Sequence, residues 1–309
     1  STSRGLGDVY KRQDQITFIY RLGDGVGYAE YIVHASLSNV STGEIAISDQ
    51  EFADFQEFVY QSAGITLSSA KKALVSGRLL KRLRHYQLSS YRDYFQMIMS
   101  GQEPAELQTA LDLLTTNETY FFREPQHFEY LRTAILPSRR PGEAVRIWSA
   151  ACSSGEEPYT LAMVLADQLG TTPWEMVASD ISSRVLAVAQ AGQYPMERAE
   201  KIPQTYLKAY CLKGIGAQAG TFLIDPKLKS RIRFLSVNLN ASLPQVGTFD
   251  VIFLRNVMIY FNTDTKRQVV ERLLSVLKPG GHFIISHSES LHGITDQLKM
   301  VRSSIYRKA

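Results

Sequence analysis

With 309 residues, 44% of them hydrophobic and 21% charged, the chain has apolar material for a buried core and length enough for two domains. A net charge of +4 is too small to demand a nucleic-acid partner, and two cysteines, Cys152 and Cys211, argue against a disulfide framework. No apolar run reaches the roughly 18 residues of a membrane span, and no charged-then-apolar leader opens the sequence, so a cytoplasmic protein without membrane insertion is expected.

In residues 1–45, "STSRGLGDVYKRQ" has neither helical nor strand period and "DQITFIYRLGDGVGYAEYIVHASL" alternates but carries many glycines; the stretch is expected to be a tail, or a segment foreign to the fold, without function of its own. From Ser48 the reading clears. "SDQEFADFQEFVYQSAG" has an N-cap serine, Glu51 three residues on as in a capping box, Phe52, Phe55 and Val59 at helical spacing, and Gly64 as a stop. "SSAKKALVSGRLLKRLRHYQL", "SYRDYFQMIMSG" and "AELQTALDLLTTNETYFFRE" read as three further helices, the last running into a turn. Residues 46–120 are therefore expected to form a small all-helical domain.

From Val145 strands and helices alternate. Strands are expected at "VRIWSAAC", "EMVASDI", "RIRFLSVN", "FDVIFLRN" and "GHFIISH", helices at "EEPYTLAMVLADQL", "SSRVLAVAQAG" and "TDTKRQVVERLLSVL", and an edge strand at "LKMVRSSIYRKA". That rhythm predicts an α/β domain over 121–309 with a doubly wound, mostly parallel sheet. The glycine-rich stretch around residues 213–230 is expected to be a β-hairpin insertion.

In such sheets ligands bind at the carboxyl ends of the strands, where strand order reverses. Here the first strand ends in "SAACSSGEEP", with one glycine where a phosphate cradle wants three, and with Glu156 and Glu157 where phosphate would need positive charge. The second ends at Asp180, spaced to grip ribose hydroxyls; the third offers Asn238, the fourth Arg255 and Asn256. Each residue alone could be a cap or a turn residue. Together, carboxylates for hydroxyls and a cation, amides for an adenine edge, and the missing phosphate cradle describe S-adenosylmethionine.

The segments "LLTTNETYFFREPQHFEYL", "IWSAACSSGEEPYTLAM", "ASDISSRVLAVAQAGQYP", "FDVIFLRNVMIYF" and "LKPGGHFIISHSESL" resemble the chemotaxis receptor methyltransferases, the CheR family, over about residues 48–305. The joint occurrence of "TNETYFFRE" and "RNVMIYF" is the specific part; "LKPGG" marks methyltransferases in general. The resemblance implies a methyltransferase-type sheet, S-adenosylmethionine as cofactor with S-adenosylhomocysteine as product, and glutamate side chains on chemoreceptor cytoplasmic domains as substrate. It implies cofactor contacts from Asn117, Thr119, Arg123, Glu157, Asp180, Asn238, Leu239, Arg255 and Asn256, and catalytic roles for Arg123 and Tyr260. The glycine spacing Gly214, Gly216, Gly220 is similar to that of family members whose insertion holds a receptor's C-terminal peptide. A monomer is expected.

Between Glu57 and Asp93 the chain has no acidic residue, and Arg78, Lys81, Arg82 and His85 share a helical face opposite Leu74, Leu79, Leu80 and Leu83. A solvated face would look the same, and one stripe is weak support for nucleic acid. The resemblance favours receptor docking through Arg78, Lys81 and Arg82. No metal is expected, because His287 and His292 in "HSESLH" are five apart and do not share a helical face. Two rival readings stand beside the main one: a methyltransferase for another carboxylate or for RNA, and a catalytically silent adaptor that binds receptor and senses the cofactor.

Overall fold

The computed structural model describes residues 45–139 and 142–309. The tail expected over residues 1–45 falls, but for Ile45, outside them. Ile45–Ala309 form one compact unit.

The helical part comprises α1 (Asp49–Ala63), α2 (Lys72–His85), α3 (Tyr91–Met99) and α4 (Pro104–Leu114). α1 starts at a complete capping box: Ser48 Oγ accepts from the Glu51 amide at 3.2 Å, and Glu51 Oε2 accepts from the Ser48 amide at 2.8 Å. Gly64 stops it with φ 72°, and a Cβ there would lie 2.6 Å from the Thr265 side chain. Phe55, Val59, Val75, Leu79, Leu83, Tyr94 and Ile98 fill the space between the helices and are fully buried, each contributing roughly 1.5–3 kcal/mol.

The buried stripe of α2 runs through Val75, Leu79 and Leu83, with Leu74 and Leu80 only half-buried. This turns Arg78 and Arg82 toward α4 instead of solvent. Arg82 forms a bidentate pair with Glu106, at 2.7 and 2.6 Å, and Tyr94 Oη donates to the same carboxylate at 2.6 Å. Arg78 Nη1 donates to the carbonyls of Leu113 and Thr115. Two of the three residues expected to dock receptor are thus engaged in holding the helical part together, and Lys81 alone of the three is exposed.

α5 (Pro125–Tyr130) continues into a π-helical turn, Leu131–Ile135, and leads into the sheet. The remaining elements are β1 (Val145–Ser149), α6 (Glu156–Leu169), β2 (Trp174–Asp180), α7 (Ser183–Ala191), β3 (Gln193–Pro195), α8 (Gln204–Tyr210), β4 (Cys211–Lys213), β5 (Thr221–Ile224), α9 (Pro226–Lys229), β6 (Ile232–Ser236), β7 (Phe249–Phe253), α10 (Thr263–Ser275), β8 (Leu277–Ile284), β9 (Leu298–Arg302) and β10 (Ile305–Lys308). The main sheet has the order β6-β2-β1-β7-β8-β10-β9. β6, β2, β1, β7 and β8 are parallel; β10 and then β9 add antiparallel. The chain builds outward from β1 through β2 to β6, then returns to place β7 on the other side of β1. The switch point therefore lies between β1 and β7.

Two elements are richer than the sequence reading. The single edge strand expected at the C-terminus is a hairpin, β9 and β10, because Ser304 takes a left-handed φ of 59° and reverses the chain. The insertion hairpin β4–β5 gains a third strand, β3, pairing antiparallel with β5. Three residues, "QYP", carry no readable period.

The helical and sheet parts share one continuous core, in which Phe55 and Leu79 join Trp148, Leu254 and Phe261. Asp112 of α4 caps α7, accepting from the amides of Ser183 and Arg184 at 3.1 and 3.0 Å. Ile65 and Phe261 form an isolated antiparallel bridge.

The Glu106–Arg82 pair yields a stability test. Burial alone would raise the Glu106 pKa, but the bonds and charge of Arg82, with the hydroxyls of Tyr94 and Tyr86, together hold the carboxyl below its ordinary 4.5. A lowered folded-state pKa contributes stability that is full above the unfolded value and lost as pH falls through the folded one. Glu106→Ala should cost about 3 kcal/mol, the low end for a broken buried pair, because Arg82 keeps 25% of its side chain in solvent. Thermal melts from pH 7 downward should show the gap between variant and wild type closing below 4.5; a variant with wild-type Tm at pH 7 would remove the pair from the fold's support.

Candidate active site

A cleft opens at the switch point between β1 and β7. Asn117, Thr119, Arg123, Glu157, Asp180, Asn238, Leu239, Arg255, Asn256 and Tyr260 all line it. The helical part supplies a wall as well, through Ala63, Ile65 and Thr115.

The floor is the turn after β1. Ser153, with φ 49°, and Gly155, with φ 100°, reverse the chain into α6. Gly155 must be glycine on two counts: its backbone is left-handed, and a Cβ would sit 2.8 Å from Tyr194 Oη and 2.9 Å from Ala189 Cβ. The amide of Ser153, which would face a phosphate in a nucleotide site, donates instead to Asp180 Oδ2 at 2.8 Å, and the Ser182 amide donates to Oδ1 at 3.0 Å. Burial raises the Asp180 pKa, against the opposing pull of these amides.

The adjacent glutamates at the start of α6 diverge. Glu156 is fully buried on the far side, where Ser154 and Arg198 bond to it, and burial raises its pKa. Glu157 faces the cleft, accepting from Ser149 Oγ at 2.7 Å and from Arg255 Nη1 at 2.8 Å.

Arg255, at the end of β7, is the hub. Its side chain is 2% exposed. Besides Glu157 it donates through Nη2 to the Arg123 carbonyl at 2.5 Å and to Glu124 Oε2 at 2.9 Å. Burial would raise the Glu124 pKa, but Arg255 outweighs it and the carboxyl lies below its usual range. Glu124 carries no signal in a sequence reading beyond its place next to Arg123.

Residues 115–123 cross from α4 to α5 over the cleft mouth. Ser153 Oγ donates to the Asn117 carbonyl at 2.8 Å, and Arg78 fixes the segment's start through the Thr115 carbonyl. Phe122 and Glu124, both with φ 57°, flank Arg123 in left-handed conformations. Arg123 Nη1 donates to the Glu118 carbonyl, and its guanidinium lies 5.6 Å from the centre of the Tyr120 ring.

Asn238 lines the cleft and also makes bonds elsewhere with its side chain. Its Nδ2 donates to the Ser62 carbonyl at 2.6 Å and its Oδ1 accepts from the Asn240 amide. The side chain ties the end of α1 to the segment after β6, and Val237, Asn238 and Leu239 all line the cleft. Asn256 follows Arg255 with φ 58°. Tyr260 ends a short 3₁₀ turn, and its carbonyl accepts from the Thr66 amide of the helical part at 2.8 Å.

His287 and His292 do not meet. His287 instead lies against His127, and with Glu124 their ligand atoms fall within 4.8 Å of one another. Glu124 is already the partner of Arg255, and a cation there would face that guanidinium.

Comparison with known proteins agrees with the geometry. Residues 50–115 match the family model for the CheR methyltransferase all-alpha domain, and residues 117–307 that for the CheR methyltransferase SAM binding domain. The chain is 39% identical over 268 residues to the chemotaxis protein methyltransferase of Escherichia coli (strain K12), covering 86% of this chain and 93% of that one. It is 38% identical over 269 residues to chemotaxis protein methyltransferase 2 of Pseudomonas aeruginosa, covering 86% and 95%. With family matches that span both of its parts and a relative 39% identical over most of its length, this chain belongs to the CheR methyltransferase family.

Proposed function

We propose that this protein transfers the methyl group of S-adenosylmethionine to glutamate side chains on the cytoplasmic helices of chemoreceptors, giving glutamyl methyl esters. What carries the reading is the meeting of Asp180, Glu157, Arg255, Arg123 and Tyr260 on one cleft in a member of this family. The donor set fits the cofactor: the turn amide that a phosphate would need is taken by Asp180, while two carboxylates face the cleft. Asp180 would hold ribose hydroxyls, Glu157 the positive end, and Asn117, Thr119, Leu239 and Asn256 the rest of the molecule. The cofactor supplies a methyl group on a positively charged sulfur, open to in-line attack by a carboxylate oxygen.

An acceptor glutamate, with an ordinary pKa near 4.3, is already ionised at neutral pH and needs no general base. The protein's tasks are alignment and removal of water. Arg123 draws the acceptor carboxylate in, and its tie to the Glu118 carbonyl and to the Tyr120 ring moderates its grip, so that the ground state is not over-stabilised. Tyr260 donates a hydrogen bond to one carboxylate oxygen and leaves the other to attack.

The exposed cations of α2, Lys81 and Arg84 with Lys71 at its start, form the face offered to acidic receptor helices. β4 lies at an edge of the insertion sheet, and beyond it Ile215 is 82% exposed, a place for an added receptor-tail strand. Among the described residues no helix is long and apolar enough to cross a membrane. We place the protein in the cytoplasm, as a monomer.

The following measurements check this reading. Asp180→Ala should weaken cofactor binding by roughly 1.5–3 kcal/mol; calorimetry on a folded variant with unchanged affinity would take Asp180 out of the site. With labelled cofactor and receptor cytoplasmic fragments, the product should be released by mild alkali. The rate should fall only on the acid side as the acceptor protonates, and Tyr260→Phe should lose about tenfold in rate, or about 1.4 kcal/mol, at unchanged cofactor affinity. A limb titrating near pH 7, or a fully active phenylalanine variant, contradicts this chemistry. Finally, Lys81→Glu with Arg84→Glu should slow receptor methylation without changing cofactor affinity, and wild-type rate should fall as salt screens the surface. A salt-insensitive rate and an active double variant would return α2 to a plain solvated face, and fragments with and without their tails separate this contact from that at β4.

A further inference from the structure

The loop between β7 and α10 carries Asn256 and Tyr260, and its shape depends on a residue outside it. Asn256 is left-handed, with φ 58°, a conformation that a non-glycine residue adopts at a cost. The turn it makes points three successive amides, those of Asn256, Val257 and Met258, to one side. A single side chain receives all three. Glu289 Oε1 accepts from Met258 at 2.8 Å and from Val257 at 3.0 Å; Oε2 accepts from Asn256 at 3.1 Å and from Ser286, just past the end of β8, at 2.9 Å.

The chemistry allows few substitutes. Four amides need an acceptor with lone pairs on two oxygens about 2.2 Å apart, which only an ionised carboxylate provides. A glutamine would turn an N–H₂ group toward two of the donors. Burial raises the carboxyl's pKa, and the amide bonds resist the shift, as expected of a charge held by oriented dipoles. The Glu289 amide itself bonds back to the Ser286 carbonyl, closing a tight turn that fixes where the carboxylate stands.

We propose that Glu289 is a positioning residue for the methyl-transfer site: it sets the left-handed turn at Asn256 and, through it, the place of Tyr260 on the cleft wall. The proposal rests on the reading of Asn256 and Tyr260 as site residues given above. Glu289 does not line the cleft, so it acts on the reaction only through this loop.

The test is Glu289→Gln in the full chain, with Glu289→Asp as a second variant that keeps the charge but shortens the reach. Amide hydrogen exchange at residues 256–258, cofactor affinity by calorimetry and methyl transfer to receptor fragments are read side by side, and Tyr260→Phe is combined with Glu289→Gln in a double-mutant cycle. Expected in Glu289→Gln are faster exchange confined to this loop and a rate loss of about tenfold or more. That loss should shrink when Tyr260 is already phenylalanine, because the two residues act through one group; a mere loss of global stability would add independently. Glu289→Asp should fall between Glu289→Gln and wild type, and it carries the test if Glu289→Gln does not fold. Wild-type exchange at 256–258 with wild-type rate, or strictly additive losses in the cycle, overturns the proposal. A fully active Tyr260→Phe beside a slow Glu289→Gln with fast loop exchange would instead overturn the role given to Tyr260 and leave Glu289 as the support of Asn256.

Discussion

The buried guanidinium of Arg255 is the interaction on which the site depends. It sits at the end of β7, is almost wholly removed from water, and bridges Glu157 of α6, Glu124 at the entry to α5, and the Arg123 carbonyl. An isolated buried charge costs several kcal/mol, so the two carboxylates are a condition of its being there. The geometry of the network draws three separate parts of the chain to one point. With Arg255 in place, Glu157 stands at the cleft, the joining segment is pinned across the mouth, and Arg123 is presented between two left-handed residues.

The electrostatic character of the cleft follows from the same economy of partners. Asp180 takes the turn amides that would otherwise attract an anion, and Glu156 is turned away to Arg198. His127 is held neutral, its pKa pushed down to about 3 by burial and the Arg255 charge, so it adds no competing cation beside Glu124. The surface left facing the cleft is rich in carboxylate on the floor and has Arg123 at the mouth.

Much of this was readable in the sequence because the residues stand at strand ends. A parallel strand buried on both faces reads as a continuous apolar run, and the first polar residue after it marks the crevice; Asp180 and Arg255 are found that way. The same logic located the sheet domain and the capped helix at Ser48. It could not decide which face of α2 is buried. The leucines at 74 and 80 compete with Val75, so the bonds of Arg78 and Arg82 to α4 and the segment after it could not be read from the sequence. Nor could it foresee that Asn238 would be used on Ser62, since an amide at a strand end looks the same whether it meets a ligand or a neighbouring helix. β3 and the C-terminal hairpin escaped because three-residue strands and a serine in a left-handed turn have no period to detect. Glu124 and Glu289 escaped because a carboxylate's partners are set by tertiary placement.

The cleft's wall is contributed partly by the helical part, through Ala63, Ile65 and Thr115, and the Ile65–Phe261 bridge fastens that wall to the residue after Tyr260. The two family domains are therefore separable in sequence comparison but not as working modules. A gene fusion or recombination event that exchanged the helical part for another domain would have to re-create three wall positions and a bridge. This architecture favours inheritance of both parts as a pair.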